Sequence, residues 1–269
     1  MKKFFSALTA AAMLFMSAPT SAIEIGNDGY IEVEGMETPQ PGESINDARR
    51  IAILEAYRLL GESVGDLHIS SHSTLKQALN QKGNKSKSSR ELTNDLDTRV
   101  DTVVNGAVVK TVYRDDSGTF HAIVRLPVFG GQKSLANAVF ADNLPTEDFP
   151  QPKSTPLEVL DTKYTGLIVD CSGLGLSSAI SPAIKNVSGD EIYALKNVTR
   201  QMATERGMVS YADSLDSGVQ RAGGHPLTVK AMFISGECDA VVSDEDADKI
   251  LTANQSSGFL KNCMVVFVR

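Results

Sequence analysis

Apolar residues recur at helical spacing after Ser44, and this pattern predicts an amphipathic helix that runs to about Val64. Ser44 is a suitable N-cap, Asp47 is a weaker substitute for the glutamate of a capping box, and Gly65 is expected to end the helix. The positions predicted to be buried are Ile45, Ala48, Ala52, Ile53, Ala56, Tyr57, Leu59, Leu60 and Val64. Because several of these are alanines, we expect the helix to pack closely on a sheet.

Strand-like patterning follows this helix. It covers Leu67–Ser73 and then two longer runs, Val100–Arg114 and Thr119–Val128, which flank the turn sequence Asp115-Asp116-Ser117-Gly118. Two β-rich runs around such a turn predict a hairpin. Gly106, inside the first run, predicts a bulge or a bend. The expected architecture is one helix packed on an antiparallel sheet.

A proline-rich stretch then interrupts the patterning. Its prolines are Pro145, Pro150, Pro152 and Pro156. Proline removes a backbone donor and biases the preceding residue away from helix, so we expect an extended, irregular linker over residues 142–157. This linker divides the chain into two units.

The second unit alternates between apolar runs and helical segments. The runs predicted as buried strands are Gly166–Cys171, Leu227–Ser235 and Cys263–Val268. Ser243, with Asp246 at the third position, is expected to cap a helix, and a second helix should span Val198–Arg206 and end at Gly207. This alternation predicts a small α/β domain, so the whole chain is expected to be α+β, with its N-terminal helix on an antiparallel sheet.

The chain begins with a different apolar pattern. Lys2 and Lys3 precede the apolar stretch Phe4–Met16, and small residues lead to Ala22. The stretch is too short to cross a bilayer, so it is interpreted as a cleaved export signal. We therefore expect a signal peptide at 1–22, an α+β domain at 23–141, the linker at 142–157 and an α/β domain at 158–269. The mature protein is expected in the periplasm or at the periplasmic face of the envelope.

Charge narrows the range of partners. The 26 basic residues include Lys2 and Lys3, so the predicted mature chain has 24 against 33 acidic residues, a net charge of −9. Such a surface disfavours non-specific binding to nucleic acid and to anionic lipid. No apolar run after the signal has the length of a transmembrane helix, and no transmembrane segment is expected in the mature chain.

Three cysteines, Cys171, Cys238 and Cys263, lie in apolar, strand-like surroundings. Cysteine commonly serves there as a small core residue, so we expect buried thiols. An exported protein could instead oxidise two of them, and the sequence leaves the three pairings open. None of the three has the spacing of a zinc site.

The segment Gly173–Ser178 superficially resembles a dinucleotide-binding turn. That motif requires a following helix whose N-terminus receives the pyrophosphate, and Pro182 would interrupt such a helix within its first two turns. We therefore interpret the segment as a tight loop and expect no cofactor.

Other polar clusters also have simple structural interpretations. His68 and His72 have a spacing compatible with zinc on a helix, but their surroundings are strand-like, so solvated histidines are expected and no metal. The acidic cluster is Asp239, Asp244, Glu245, Asp246 and Asp248; it lacks the pattern of a calcium loop and suits the first turn of a helix. The basic cluster is Lys82, Lys85, Lys87 and Arg90, interpreted as a solvated loop, with lipid headgroups, a polyanion or an acidic partner as the alternatives.

A long, diffuse pattern covers about residues 35–130. It includes Asn46-Asp-Ala-Arg-Arg-Ile-Ala-Ile-Leu-Glu-Ala-Tyr-Arg-Leu-Leu60 and continues through 64–74, 99–109 and 118–127. In these segments the chain resembles the bacterial envelope lipoprotein family typified by the twenty-kilodalton Lpp-type lipoprotein of Helicobacter. The N-terminal domain of flagellar assembly protein T is similar in layout.

The resemblance implies an envelope protein with an α+β domain, sometimes connected to flagella or outer-membrane assembly, and without established catalysis. The chain departs from many family members because no cysteine for lipid attachment lies near Ala22. Residues 166–176 resemble C-terminal extensions associated with such proteins, and this likeness assigns no activity.

The leading expectation is a non-enzymatic, exported envelope protein that acts through protein–protein contacts. Sheet edges and the basic loop around Lys85 are its expected contact surfaces. No catalytic residue is assigned; His225 precedes Pro226 without an evident nucleophile. The alternative is a periplasmic ligand-binding protein or hydrolase with a site at the domain boundary near Asp170, Ser172 and the loop after Gly173.

Overall fold

The computed structural model describes residues 23–80, 98–160 and 162–269. The predicted export signal and the basic cluster around Lys85 lie outside the described residues. The helices are α1 (Ile45–Ser63), α2 (Leu75–Asn80), α3 (described over 98–105), α4 (Leu135–Val139), α5 (Leu157–Leu160), α6 (Arg200–Glu205), α7 (Leu215–Ala222) and α8 (Asp244–Ser257).

The strands are β1 (Tyr30–Glu37), β2 (His68–Ser70), β3 (Ser73–Thr74), β4 (Val108–Arg114), β5 (Phe120–Pro127), β6 (Leu167–Asp170), β7 (Ile184–Asn186), β8 (Glu191–Tyr193), β9 (Ser210–Ala212), β10 (Leu227–Lys230), β11 (Phe233–Ser235), β12 (Asp239–Val242) and β13 (Val265–Val268). The predicted mixed α+β class is confirmed.

The first unit is a three-stranded antiparallel sheet in the order β1-β5-β4, with α1 across one face. The predicted hairpin is confirmed as β4 and β5, and Gly118 in its turn has a φ of 90°. The strand prediction was wrong over 100–105, which belong to α3, and Gly106 lies at the end of that helix rather than inside a strand. The sequence analysis missed β1.

Helix α1 begins after Ser44, as predicted, and ends at Ser63, close to the predicted Val64; Gly65, which was expected to end it, lies inside the 3-10 turn Val64–Asp66 that follows. The Ser44 side chain accepts a hydrogen bond from the backbone N–H of Asn46, without the expected partnership with Asp47. The fully buried positions form a narrow stripe: Ala48, Ala52, Ala56 and Leu60. Ile45, expected to be buried, is 56% exposed. This row of small side chains lies directly on the sheet, and Ile53 and Tyr57, which are partly buried, pack against the same core from its flank.

Small residues make this close approach possible. A Cβ atom placed on Gly35 of β1 would overlap the backbone nitrogen of Ala56 and the carbonyl oxygen of Ala52. The absence of a side chain at Gly35 therefore lets the α1 backbone lie directly on β1. The predicted close packing is confirmed, and the glycine that permits it lies on the strand that the sequence analysis missed.

The second unit contains two four-stranded sheets. One is parallel, in the order β10-β6-β13-β9, and the other is mixed, in the order β11-β12-β7-β8. The predicted strand Leu227–Ser235 is in fact two strands, β10 and β11, which belong to different sheets. The predicted helices are confirmed: Ser243 caps α8 by accepting from the N–H of Asp246, and Gly207 follows α6.

The linker lacks helix and strand from Asp142 to Pro156, as predicted, and the short helix α5 begins at Leu157. It does not keep the units apart, because one continuous apolar core includes residues of both. Direct backbone contacts join them as well. The N–H groups of Ile180 and Ser181 donate to the carbonyl oxygens of His68 and Ile69, on β2.

Among the helices of the described ranges, none is long and apolar enough to cross a membrane.

Candidate functional site

Strand β4 lies at one edge of the three-stranded sheet. Its inner edge is bonded to β5, and no strand in the described parts of the chain pairs with its outer edge. Three large apolar side chains are exposed on it: Val108 (53%), Val109 (40%) and Tyr113 (47%). The register shifts at Lys110, whose Nζ lies 2.7 Å from a carboxylate oxygen of Glu32. A bulge and a lysine both hinder the pairing of another strand with a sheet edge, so the first half of β4 is protected against strand addition.

The second half of β4 has a regular edge. At the turn, the N–H of Asp115 donates to the carbonyl oxygen of Thr119. Bonded and non-bonded pairs alternate along an antiparallel ladder, so Tyr113 is bonded to β5 while the backbone groups of Val112 and Arg114 point away from it. Those groups are available to an added strand.

A polar cluster lies beside this edge, on the sheet face opposite α1. We call it the His121 cluster; its members are Glu34, Tyr113, Asp115 and His121. The Nδ1 atom of His121 lies 2.8 Å from Oε1 of Glu34, and its Nε2 atom lies 3.3 Å from Oδ2 of Asp115. Tyr113 donates its hydroxyl to Glu34 at 3.1 Å, and its ring stacks on His121 with centroids 4.7 Å apart.

The cluster shifts the acid–base behaviour of its members. Burial opposes charge on His121, but hydrogen bonds and attraction to Glu34 and Asp115 outweigh it and raise the pKa of the imidazole. Hydrogen bonds from the Ser117 hydroxyl and then the Thr119 N–H, together with His121, lower the pKa of Asp115 to about 2. Burial, followed by the bond to Glu34, raises the pKa of Tyr113.

A cleft of about 580 Å³ lies where the two units meet. Its lining residues are Ile25, Gly26, Asn27, Asp28, Gly29, Tyr30, Phe129, Gly130, Glu205, Arg206, Val209, Ser210, Tyr211, Ala212, Ser217, Gln220 and Arg221. The chain before β1 forms one wall, and the edge strand β9 with α7 forms the other. Arg221 donates to the carbonyl oxygens of Arg206, Gly207 and Cys263. Its cation thus holds backbone in place at the end of α6.

The boundary site expected near Asp170 and Ser172 does not coincide with this cleft. The carboxylate of Asp170 accepts the N–H of Ser172 at 3.0 Å, and hydrogen bonds from Ser172 lower the pKa of Asp170. Neither residue lines the cleft. Gly173 and Gly175 have positive φ values, and no helix follows them before β7. The tight-loop interpretation of this segment is therefore confirmed.

The two candidate histidines occupy different elements. His68 lies on β2 with its Nε2 atom 3.1 Å from Glu237, whereas His72 lies in the turn before β3 with Nδ1 2.6 Å from the Ser71 hydroxyl. The expectation that a single strand carries both was wrong, because the chain reverses between them. Over the described ranges, no group of three His, Cys, Asp or Glu side chains is placed to hold a metal ion.

The five residues of the acidic cluster occupy three different environments. The first turn of α8 carries Asp244, Glu245 and Asp246, as the macrodipole interpretation predicted. Asp239 instead lies on β12 and forms a 2.7 Å ion pair with Lys185. Asp248 turns toward the linker, where it accepts hydrogen bonds from Lys153 and Ser154. His225, exposed in the structure, stacks on Tyr164 with ring centroids 5.4 Å apart.

Cys171, Cys238 and Cys263 are buried free thiols, as predicted. Burial is the main cause that raises the pKa of Cys171 and of Cys238 to about 12, and it raises that of Cys263 as well. These thiols are therefore poor nucleophiles at neutral pH.

Sequence reasoning missed the His121 cluster because its members come from three separate segments. The alternation of Thr119–Val128 was sufficient to place His121 on the outer face, but its partners depend on the register of β1 and β4. The cluster also requires β1, which the apolar pattern did not reveal.

The second unit is similar to a known domain family. Residues 166–269 match the family model described as the second domain of Treponema pallidum Tp0624. The match begins one residue before β6 and includes both sheets of the second unit. No curated protein matches the chain.

Proposed function

We propose that this is an exported, non-enzymatic protein of the cell envelope that acts through protein–protein contacts in envelope or flagellar assembly. The observation that carries the proposal is the open edge of β4, whose regular second half carries the exposed Tyr113. An extended peptide added to such an edge gains main-chain hydrogen bonds, while alternate side chains supply specificity.

The compartment rests on the sequence. The apolar stretch Phe4–Met16 has the character of an export signal, and the pattern over about 35–130 resembles an envelope lipoprotein family. The helix-on-sheet layout of the first unit is compatible with that resemblance. The likeness of residues 166–269 to a Treponema domain adds no activity to the proposal.

The proposed occupant of the edge is an extended segment of another protein, paired with the regular half of β4 beyond the bulge at Lys110. There the partner's backbone would meet the outward groups of Val112 and Arg114. Its side chains would meet Tyr113 on one face of the sheet. A segment of this kind needs no preformed pocket, so the edge and a few apolar contacts define it.

The test removes one outward donor. Arg114→Pro deletes the N–H that points away from β5, a substitution that an edge strand tolerates. Arg114→Ala is the matched control, because it removes the same side chain and retains the N–H. Crosslinked envelopes should yield one reproducible partner with wild type and with Arg114→Ala, and much less with Arg114→Pro. Equal recovery by both variants, or no partner with wild type, would contradict the proposal.

The cleft at the junction favours a second candidate, a ligand-binding protein. Its volume of about 580 Å³ falls in the range of small-molecule sites, and it combines aromatic with polar walls. A thermal-shift screen with small molecules tests this function. A genuine hit should lose its effect in Ser217→Trp, which fills the cleft, and retain it in Ser256→Trp on α8. If no compound raises the melting temperature, the candidate function fails.

A further inference from the structure

Both nitrogens of the His121 ring face a carboxylate. Nδ1 contacts Glu34 on β1 and Nε2 contacts Asp115 in the turn after β4, so the ring connects two separate elements of the sheet. The imidazole side chain is only 15% exposed. The ring of Tyr113 covers it from β4, which makes the connection part of the same face as the open edge.

The number of N–H donors on the imidazole ring makes this arrangement dependent on pH. An ionised carboxylate accepts hydrogen bonds and donates none, and a neutral imidazole has a single N–H. The neutral ring can therefore satisfy Glu34 or Asp115 but presents a lone pair to the other. Only the imidazolium donates to both carboxylates at once, and it also attracts their charges.

Among the described residues, no group in contact with His121 is a cation. The titratable groups that contact His121 are Glu34 from β1, Tyr113 from β4 and Asp115 from the turn, and α1 packs on the opposite face of the sheet. Lys110 is paired with Glu32 on the same face, so it is already engaged.

We propose that His121 is a proton-dependent clamp on β4, which holds the open edge in its binding conformation when the ring is charged and loosens it when the ring is neutral. The consequence for partner binding rests on the proposed function. The clamp itself does not.

The direction of the pH effect follows from the groups involved. Because the folded pKa of His121 is raised, the clamp is fully present below the ordinary histidine value of about 6.5 and is lost as the pH rises through the folded pKa. The pKa of Asp115 is about 2 and that of Tyr113 is raised, so neither group titrates between pH 5 and 8.

Nuclear magnetic resonance of the predicted mature chain, from Ile23, tests the clamp. The His121 ring should titrate at a higher pH in wild type than in Asp115→Asn, which keeps the size of the side chain and removes its charge. The Tyr113 amide, bonded to β5, should exchange about threefold faster at pH 8 than at pH 6 after correction for intrinsic rates, the scale of a half-exposed ion pair.

Two variants complete the exchange experiment. His121→Gln should abolish the pH dependence at Tyr113, while His225→Gln, which removes an exposed histidine elsewhere, should retain it. The same pH dependence in His121→Gln, or none in wild type, overturns the clamp. An unchanged His121 midpoint in Asp115→Asn overturns it as well, and this readout does not depend on the folding of the glutamine variant.

Partner capture at pH 6 and pH 8 separates the two proposals. Weaker capture at pH 8 by wild type, with no such difference in His121→Gln, supports control of the contact. Equal capture by wild type at both pH values overturns that control and leaves the proposed function standing. If the exchange result holds and no partner is captured at either pH, the proposed function fails and the clamp stands.

Discussion

The carboxylate of Asp248 accepts a hydrogen bond at 2.7 Å from the backbone N–H of Lys153, which lies 95 residues earlier in the chain. The same carboxylate accepts the N–H of Ser154 at 2.8 Å and its hydroxyl at 2.6 Å. A buried carboxylate on α8 therefore holds the proline-rich segment against the second unit. The segment lacks helix and strand, as its prolines predict, and it is also docked on the second unit.

We expect Asp248→Asn to free the linker and to lower the free energy of unfolding by about 1–3 kcal/mol, because buried hydrogen bonds to a charge are lost. Urea unfolding measures the loss, and trypsin should cut faster after Lys153. Asp244→Asn, an exposed position on the same helix, is the matched control. Equal effects of the two substitutions would show that the charge of α8 matters rather than the docking of the linker.

The contribution of Asp248 should also depend on pH. Burial raises the pKa of this carboxyl, but the bonds from Ser154 and Lys153 outweigh it and lower the pKa overall. The stabilisation is therefore present above the unfolded value of about 3.9 and is lost as the pH falls through the lower, folded pKa. The stability difference between wild type and Asp248→Asn should narrow below pH 4.

Two glycine substitutions should act in opposite directions. Gly35→Ala places a methyl group in the α1 backbone and should destabilise the protein by about 1–3 kcal/mol or more. Gly61→Ala, inside α1 with open space around it, should stabilise it by about 0.5–1 kcal/mol. Thermal unfolding of both variants checks the pair. Tolerance of alanine at Gly35 would refute the close contact between α1 and β1.

The three cysteines should remain reduced thiols that do not react while the protein is folded. Burial is the reason, and it raises the pKa of Cys171 and Cys238 to about 12. Ellman's reagent should label none of the three at pH 8 and all of them in urea. Intact mass without reductant should correspond to three free thiols. A mass lower by two hydrogens would reveal a disulfide.

Arg200 at the start of α6 should contribute to the junction between the units. Its guanidinium donates to the carbonyl oxygen of Asn137 within α4 at 3.0 Å and to that of Ala141, beyond the end of α4, at 3.1 Å. Arg200→Ala should lower stability by about 1–2 kcal/mol. Gln201→Ala is the control, since that side chain bonds only within α6. Indistinguishable urea midpoints for the two variants would remove Arg200 from the account of the junction.

The sequence predicted local features correctly wherever the conformation depends on residues close by in the chain. Ser44 and Ser243 marked the starts of α1 and α8, because a cap acts within two or three positions. The turn at Asp115–Gly118 marked the β4–β5 hairpin for the same reason. The proline-rich segment correctly predicted irregular structure. The strand prediction for residues 100–105 was wrong because their valines favour strands. These residues form a helix whose Val100 and Val103 are buried against the rest of the unit.

The sequence predicted the candidate site only in part. Sheet edges were expected as contact surfaces, but which strands lie at the edges, β4 among them, depends on the order β1-β5-β4, which no local pattern encodes. The expected boundary site lay at Asp170, at the end of β6, whereas the cleft formed beside β9 because the chain before β1 passes along that strand.

Short-range chemistry in the chain was therefore sufficient to predict helix caps, turns, the linker and buried thiols, since each depends on neighbours a few residues away or on polarity alone. Contacts between residues far apart in the chain could not be predicted in this way. Glu34 meets His121 across 87 residues, and Lys153 meets Asp248 across 95. Such contacts exist only after strand register and helix packing bring distant segments together, and register is a property of the assembled sheet.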